Sequence, residues 1–219
     1  MKVKILTAAL AIATVLLACA SIYILRTDKT IALNPVENRS QDKTAGNSVS
    51  KPSDQNDQNL LHTYRINLIS GIKSNGADLK ATELKSMNGK IGLIGDSLRK
   101  RNPYTLVYRF TEFHCASCVN AELKYFRSAE SMIGKENMLI FGAYKNNRIF
   151  NRTLKAYDVS NYKAYNVREL DVFAEEFGYP YFFVIDNNSV VSNTFVPDKA
   201  TPEITKEYLA MIQQRFFPG

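Results

Sequence analysis

"LVYRFTEFHCASCVNAELKYF", Leu106 to Phe126, is the stretch that decides the fold. Its first part belongs to the run Tyr104–Phe110, which is rich in β-branched and aromatic residues and predicts a strand. Beyond the cysteines, apolar residues recur at helical spacing and predict a helix from Cys115 to Ile133. A strand therefore leads directly into a helix, with Cys115 at the junction and Cys118 one turn further on.

A cysteine at such a junction is placed to be reactive. The first turn of a helix presents unpaired N–H groups and partial positive charge, which stabilise a thiolate. The thiolate is the attacking species in disulfide chemistry, and the CxxC spacing lets Cys118 close a disulfide with Cys115. The alternatives are two core cysteines without redox chemistry, or part of a zinc site. Zinc is disfavoured because the only histidines, His62 and His114, lack the spacing of a four-ligand site.

Strand and helix patterns alternate through the rest of the folded part. Upstream, the sequence predicts strands at Leu60–Ser70, 78–80 and 90–94. Downstream, it predicts a strand over 137–144, a helix up to Asp158, a strand over 163–167, a helix over 168–178, a hairpin of 181–185 with 190–196, and a last helix from Thr201 to Phe216. Helical crossovers imply parallel strands and the hairpin adds antiparallel ones. The prediction is therefore an α/β fold with a mixed central sheet and helices on both faces.

These patterns resemble the thioredoxin superfamily, and in particular the membrane-anchored extracytoplasmic thiol–disulfide oxidoreductases of bacteria. The likeness rests on the quoted stretch and on "GYPYFFVID" (Gly178–Asp186), and it covers about Asp78 to Phe217. It implies a thioredoxin-like three-layer fold, a redox-active disulfide at the CxxC motif as the catalytic group, no cofactor, and a role in cell redox homeostasis. It further implies that Tyr179 and Pro180 bind substrate, with a cis bond between them that faces the cysteines. The alternative for Pro180 is an ordinary trans proline that opens an edge strand.

The chain departs from the family around the cysteine pair. Members usually have Trp before the first cysteine and often Gly-Pro between the two, where this chain has His114, Ala116 and Ser117. Many members bury an acid in the preceding strand, where this chain has Arg109; Glu112 is nearer the pair and is expected to be exposed. One hypothesis is that positive charge on His114 and Arg109 stabilises the Cys115 thiolate and raises the reduction potential. The alternative is that His114 faces solvent and Arg109 pairs with a carboxylate.

The amino-terminal sequence predicts a membrane-anchoring or signal segment followed by a flexible linker. Residues 5–25 carry no charge and are long enough to cross a bilayer, so residues 1–26 are predicted to be a membrane anchor or signal segment. The favoured interpretation is an inner-membrane anchor with the domain in the periplasm of a bacterial envelope. The alternatives are a lipoprotein through Cys19 and a secreted protein with a cleaved signal. Residues 27–60 are polar and predict a flexible linker, which leaves 61–219 as the thioredoxin-like domain.

The amino-acid composition restricts the classes of partner that the chain is expected to bind. The net charge of +7 comes from 28 basic and 21 acidic residues spread thinly, which does not favour nucleic-acid binding. The expected partners are protein thiols and disulfides together with a membrane redox partner. Three other functions were weighed. A thiol peroxidase would need Thr at Glu112, a copper carrier would need CxxxC and a late histidine, and a redox-silent binding module would keep only the fold.

Overall fold

The computed structural model describes the backbone of residues 52–98 and 103–218. The predicted anchor or signal segment, with Cys19, and most of the predicted linker lie outside these residues. Seven strands form one sheet in the order β2-β1-β5-β4-β3-β6-β7. The strands are β1 (Glu83–Ser86), β2 (Ile91–Leu93), β3 (Tyr104–Thr111), β4 (Met138–Ala143), β5 (Lys163–Asn166), β6 (Tyr181–Asp186) and β7 (Val191–Phe195). The helices are α1 (Pro52–Ser74), α2 (Ile94–Leu98), α3 (Ala116–Ser128), α4 (Glu130–Ile133), α5 (Asn147–Ala156) and α6 (Pro202–Phe216), with short 3-10 helices at Lys135–Asn137 and Phe173–Phe177.

The sheet is mixed, as predicted. Strands β3, β4 and β5 run parallel, because a helix after β3 and another after β4 carry the chain back to the start of the next strand. Strand β6 lies antiparallel to β3 on its other side, and the β6–β7 hairpin completes that edge. Parallel strands bring their carboxyl ends to the same edge, so β3 delivers the cysteine motif there.

Helices cover both faces of the sheet. Alternate residues of β3 point to opposite faces, with Tyr108 in one core cluster and Val107 in the other. Helices α3, α5 and α6 pack on the Tyr108 face, and α1, α2 and the Phe173–Phe177 helix pack on the Val107 face. Strand β3 is packed on both faces, so the position of the residues that follow it, including the cysteines, is well fixed.

The largest difference from the sequence prediction is helix α1. The strand predicted at Leu60–Ser70 is wrong, since these residues are helical, and the helix begins at Pro52, inside the predicted linker. Three apolar residues of that stretch point to solvent, Leu61, Tyr64 and Leu68, as does Ile72 further along the helix. The face that packs on the domain consists mainly of small polar residues: Thr63, Ile66, Ser70 and Ser74. Because this helix buries its polar side, a prediction that places apolar residues in the core fails for it.

Smaller differences concern the ends of elements. The helix predicted from Cys115 to Ile133 is divided into α3 and α4, with Ala129 between them. The helix predicted over 168–178 is only the 3-10 turn at Phe173–Phe177, closed by Gly178 in the left-handed region at φ 67°. The strand predicted at 78–80 is a single bridge between Asp78 and Val190.

Candidate active site

The two cysteines lie where β3 gives way to α3. Cys115 is the residue before the first helical residue, and its carbonyl accepts the backbone N–H of Val119 at 3.0 Å. The Cys115 side chain is exposed, that of Cys118 is half-buried, and both thiols are free. The Cys115 sulfur is therefore open to a partner molecule, and the Cys118 sulfur is less accessible.

The two thiols have different acidities. Hydrogen bonds from Cys118 and Ser117 lower the pKa of Cys115 to about 6. The Ser117 hydroxyl oxygen lies 3.0 Å from the Cys115 sulfur. The pKa of Cys118 is raised, first because its S–H is engaged with Cys115 and second because it is partly buried. At neutral pH the site thus holds a Cys115 thiolate beside a Cys118 thiol, which is the state needed for nucleophilic attack.

His114, one of the two residues in the charge hypothesis, lies between β3 and α3. The ring is half-buried, and its Nδ1 accepts the backbone N–H of Thr111 at 3.2 Å. Burial lowers the pKa of His114 to about 4, and the Arg109 charge adds to this, while Glu175 opposes it. Desolvation of the ring thus favours its neutral form at pH 7, and a neutral ring adds no positive charge beside Cys115.

Arg109 forms a buried ion pair with Glu175, in keeping with the alternative interpretation that it pairs with a carboxylate. Its side chain is fully buried and forms two bonds to the Glu175 carboxylate, Nε to Oε1 at 2.8 Å and Nη2 to Oε2 at 3.0 Å. Its Nη1 donates to the carbonyl of Val167 at 2.6 Å, and the Tyr181 hydroxyl donates to Glu175 at 2.7 Å. The guanidinium is therefore neutralised by a carboxylate and links β3 to the segment before β6.

Glu112 is half-buried rather than exposed. One of its carboxylate oxygens accepts the backbone N–H of Lys145 at 3.3 Å. This bond ties the end of β3 to the residues that follow β4. The largest effects on the Cys115 pKa come instead from Cys118 and Ser117.

Tyr179 and Pro180 are brought next to the cysteine pair. Both line a cavity that Cys118 also lines. Pro180 is buried, whereas Tyr179 is 46% exposed. The expected cis bond is not found: the part of the chain that the structure describes has no cis peptide bond, so Tyr179–Pro180 is trans. Trans is the lower-energy form of an X–Pro bond, by about 0.5–1 kcal/mol.

Glu122 is the residue that the sequence prediction missed. It lies one turn after Cys118 on α3, is only 2% exposed, and lines the same cavity as Cys118. Its Oε2 atom has no hydrogen-bond partner in the structure. Burial raises the pKa of Glu122 to about 7; the nearby Thr205 hydroxyl opposes this rise, and the charge of Asp198 adds to it. The available signal was its position four residues after Cys118, among the apolar residues of the buried helix face.

The strand order β4-β3-β6-β7, with β4 parallel and β6 antiparallel to β3, is that of a thioredoxin-like fold, and the CxxC pair lies at the start of its first crossover helix. No protein-family model matches the sequence, and no curated protein matches it. Several solved structures are similar in three dimensions. A thiol:disulfide interchange protein from Bacteroides sp. has a TM-score of 0.45 and 10% identity, over 65% of this chain and 90% of that one.

Two further structures are similar at low identity. The thioredoxin domain of a thiol-disulfide oxidoreductase from Bacteroides vulgatus has a TM-score of 0.44 and 12% identity, over 62% of this chain and 97% of that one. A secreted disulfide oxidoreductase from Mycobacterium tuberculosis has a TM-score of 0.42 and 13% identity, over 60% of this chain and 96% of that one. Among the described residues, no helix is both long and apolar enough to span a membrane.

Proposed function

We propose that this chain is a thiol–disulfide oxidoreductase that exchanges disulfides with protein or peptide substrates outside the cytoplasm. The observation that carries the proposal is the pairing of an exposed Cys115, with a pKa of about 6, and a half-buried Cys118 whose pKa is raised. This difference assigns the roles, because the more acidic and more exposed sulfur attacks first.

The reaction has two steps. The Cys115 thiolate attacks one sulfur of a substrate disulfide; a mixed disulfide forms, and the other substrate sulfur leaves as a thiolate. Cys118 then loses its proton and attacks the Cys115 sulfur, which releases the second substrate sulfur. Two electrons pass from the pair to the substrate, and Cys115 and Cys118 end as a disulfide. The reverse sequence oxidises a substrate dithiol.

Glu122 accepts the Cys118 proton in this mechanism. Cys118 must be deprotonated in the second step, and Glu122 is the buried carboxyl on the same cavity wall. With a pKa of about 7, its carboxylate form is populated at neutral pH and its affinity for a proton is higher than that of an ordinary carboxylate. A group that must take up and release one proton per cycle works best with a pKa near the working pH.

Insulin reduction by the full chain tests the function. We expect the wild-type chain to reduce insulin with dithiothreitol as the electron source, and Cys115→Ser to be inactive. Cys118→Ser should accumulate a mixed disulfide, because the first step proceeds without the second. Equal turnover by the wild type and Cys115→Ser would exclude this function.

The proposed location is the bacterial envelope, with a membrane redox partner that resets the pair. The uncharged run of residues 5–25 between Lys4 and Arg26 supports it. A membrane-impermeant maleimide added to intact spheroplasts should label Cys115 in the reduced protein. Labelling only after lysis would place the domain in the cytoplasm. Mass spectrometry of the same protein distinguishes an intact amino terminus from a lipidated Cys19 and from a cleaved one.

A further inference from the structure

A cavity of about 180 Å³ opens beside the cysteine pair, between helix α1 and the residues before β6. Cys118, Tyr179 and Pro180 line it, together with Ile66 from α1. Val196 and Pro197, from the segment after β7, add apolar surface. Polar and charged residues line the rest of the cavity: His62, Thr63, Asn67, Glu122, Asp198 and Lys199. The cavity is thus continuous with the proposed reactive site, and one of its walls comes from the helix that precedes the sheet.

Helix α1 is fixed against this wall by paired hydrogen bonds. The Asn67 amide donates to the Val196 carbonyl at 2.9 Å and accepts the Val196 N–H at 2.7 Å, as a neighbouring strand would. The Thr63 hydroxyl donates to Asp198 at 2.8 Å. A wall held by three directional bonds is preorganised, so a ligand that enters the cavity does not have to order it.

We propose that this cavity binds one apolar, ring-sized side chain of the substrate polypeptide, adjacent to the cysteine that Cys115 attacks. The proposal rests on the function proposed above. An apolar cavity of about 150 Å³ holds a benzene ring, so the volume here suits a phenyl group. Glu122, Asp198 and Lys199 also line the cavity, so a charged substrate side chain would lose its hydration beside charges of both signs, whereas a phenyl ring has no such cost. The predicted order of preference at this substrate position is Phe above Ala above Asp.

Symmetric disulfides of a short peptide test the proposal. The residue before or after the cysteine is Phe, Trp, Ala or Asp, and kcat/KM for exchange is measured with the full chain; glutathione disulfide serves as the baseline substrate. For one of the two positions, we expect the Phe peptide to react about tenfold faster than the Ala peptide, the effect of burying one aromatic side chain. The Asp peptide should react more slowly than the Ala peptide.

Two substitutions at Ile66 change the cavity in opposite directions. Ile66→Phe fills it and should bring the Phe-to-Ala ratio to within about twofold. Ile66→Ala enlarges it and should move the preference from Phe to Trp. Leu68→Phe is the matched control, because it makes the same kind of change on the exposed face of α1, and the ratio should stay at its wild-type value. Circular dichroism checks that each variant is folded; if Ile66→Phe is not, the Ile66→Ala result decides.

The outcomes separate the pocket from the function. Failure to exchange with glutathione disulfide or with any peptide would refute the proposed function itself. Exchange with equal rates for the Phe and Ala peptides would refute the pocket and leave the function standing. A Phe preference that survives both Ile66 substitutions unchanged would show that the recognition lies elsewhere on the surface.

Discussion

Ser117 lies between the two cysteines. After Cys118, its hydroxyl makes the largest contribution to the lowered pKa of Cys115. Ser117→Ala removes a hydrogen bond to the thiolate. We expect the pKa of Cys115 to rise by about half a unit to one unit, since a hydrogen bond that favours the charged form lowers a pKa. The rate of iodoacetamide alkylation as a function of pH measures this value in the Cys118→Ser background and in the wild type.

Ser117→Thr is the matched control because it keeps the hydroxyl. Its alkylation profile should follow that of the wild type, whereas the Ala variant should require a higher pH for the same rate. Superimposable profiles for all three chains would show that the hydroxyl has no part in stabilising the thiolate.

Unlike Ser117, His114 is expected to have no effect on the reduction potential. Its ring is neutral at pH 7 because burial lowers its pKa to about 4. We therefore predict that His114→Ala leaves the reduction potential at pH 7 unchanged, whereas Ser117→Ala lowers it by destabilising the reduced thiolate form. Equilibration with glutathione at pH 7 measures both potentials. A clear drop for His114→Ala, similar to that of Ser117→Ala, would restore the charge hypothesis.

At the scale of elements, the Arg109–Glu175 pair joins β3 to the segment that leads into β6. Removing one partner of a buried pair leaves an uncompensated charge, which costs about 3–5 kcal/mol. Glu175→Gln should lower the free energy of unfolding by roughly that amount, reduced somewhat because Glu175 is 27% exposed. Urea denaturation monitored by circular dichroism measures the change.

The Arg127–Asp158 pair provides the control for that prediction. Its charged atoms are 3.5 Å apart, and the Asp158 side chain is 96% exposed. Asp158→Asn should therefore change the unfolding free energy by no more than about 1 kcal/mol. It also keeps a residue type that tolerates the left-handed backbone at φ 55°. Equal losses of unfolding free energy for the two substitutions would mean that the Arg109–Glu175 pair stabilises the fold no more than an exposed ion pair does.

The elements also show how far the sequence could be interpreted without a structure. Strand β3 and helix α3 follow the rule that apolar residues are buried, so their order, and with it the position of Cys115, could be predicted. Helix α1 breaks that rule, because Leu68 is exposed while Ser70 is buried. The family resemblance places a buried acid in β3, where this chain has Arg109, whereas the buried acid that lines a cavity with Cys118 is Glu122 on α3. Local patterns do not tell which face of a helix a neighbouring element will cover.

For the whole molecule, buried titratable groups make stability depend on pH in two opposing ways. The pKa of Glu122 is raised from 4.5 to about 7, so its protonated form stabilises the fold below pH 4.5 and that contribution is lost as the pH rises through 7. The pKa of His114 is lowered from 6.5 to about 4, so its neutral form contributes stability above pH 6.5 that is lost as the pH falls through 4. Between pH 4.5 and 6.5 the two contributions offset each other.

Glu122→Gln isolates one of these contributions, because Gln resembles the protonated acid. Relative to the wild type, the variant should be about equally stable at pH 4.5 and more stable at pH 8, on the order of 2–3 kcal/mol. Urea denaturation at both pH values measures this in the oxidised protein, where Cys115 cannot ionise. The same variant should resolve the mixed disulfide more slowly at pH 8, because Cys118 loses its proton acceptor. A gain in stability coupled to a loss of turnover identifies a carboxyl kept for function at the expense of the fold; a variant with no extra stability at pH 8 would show that Glu122 is not held in a desolvated state.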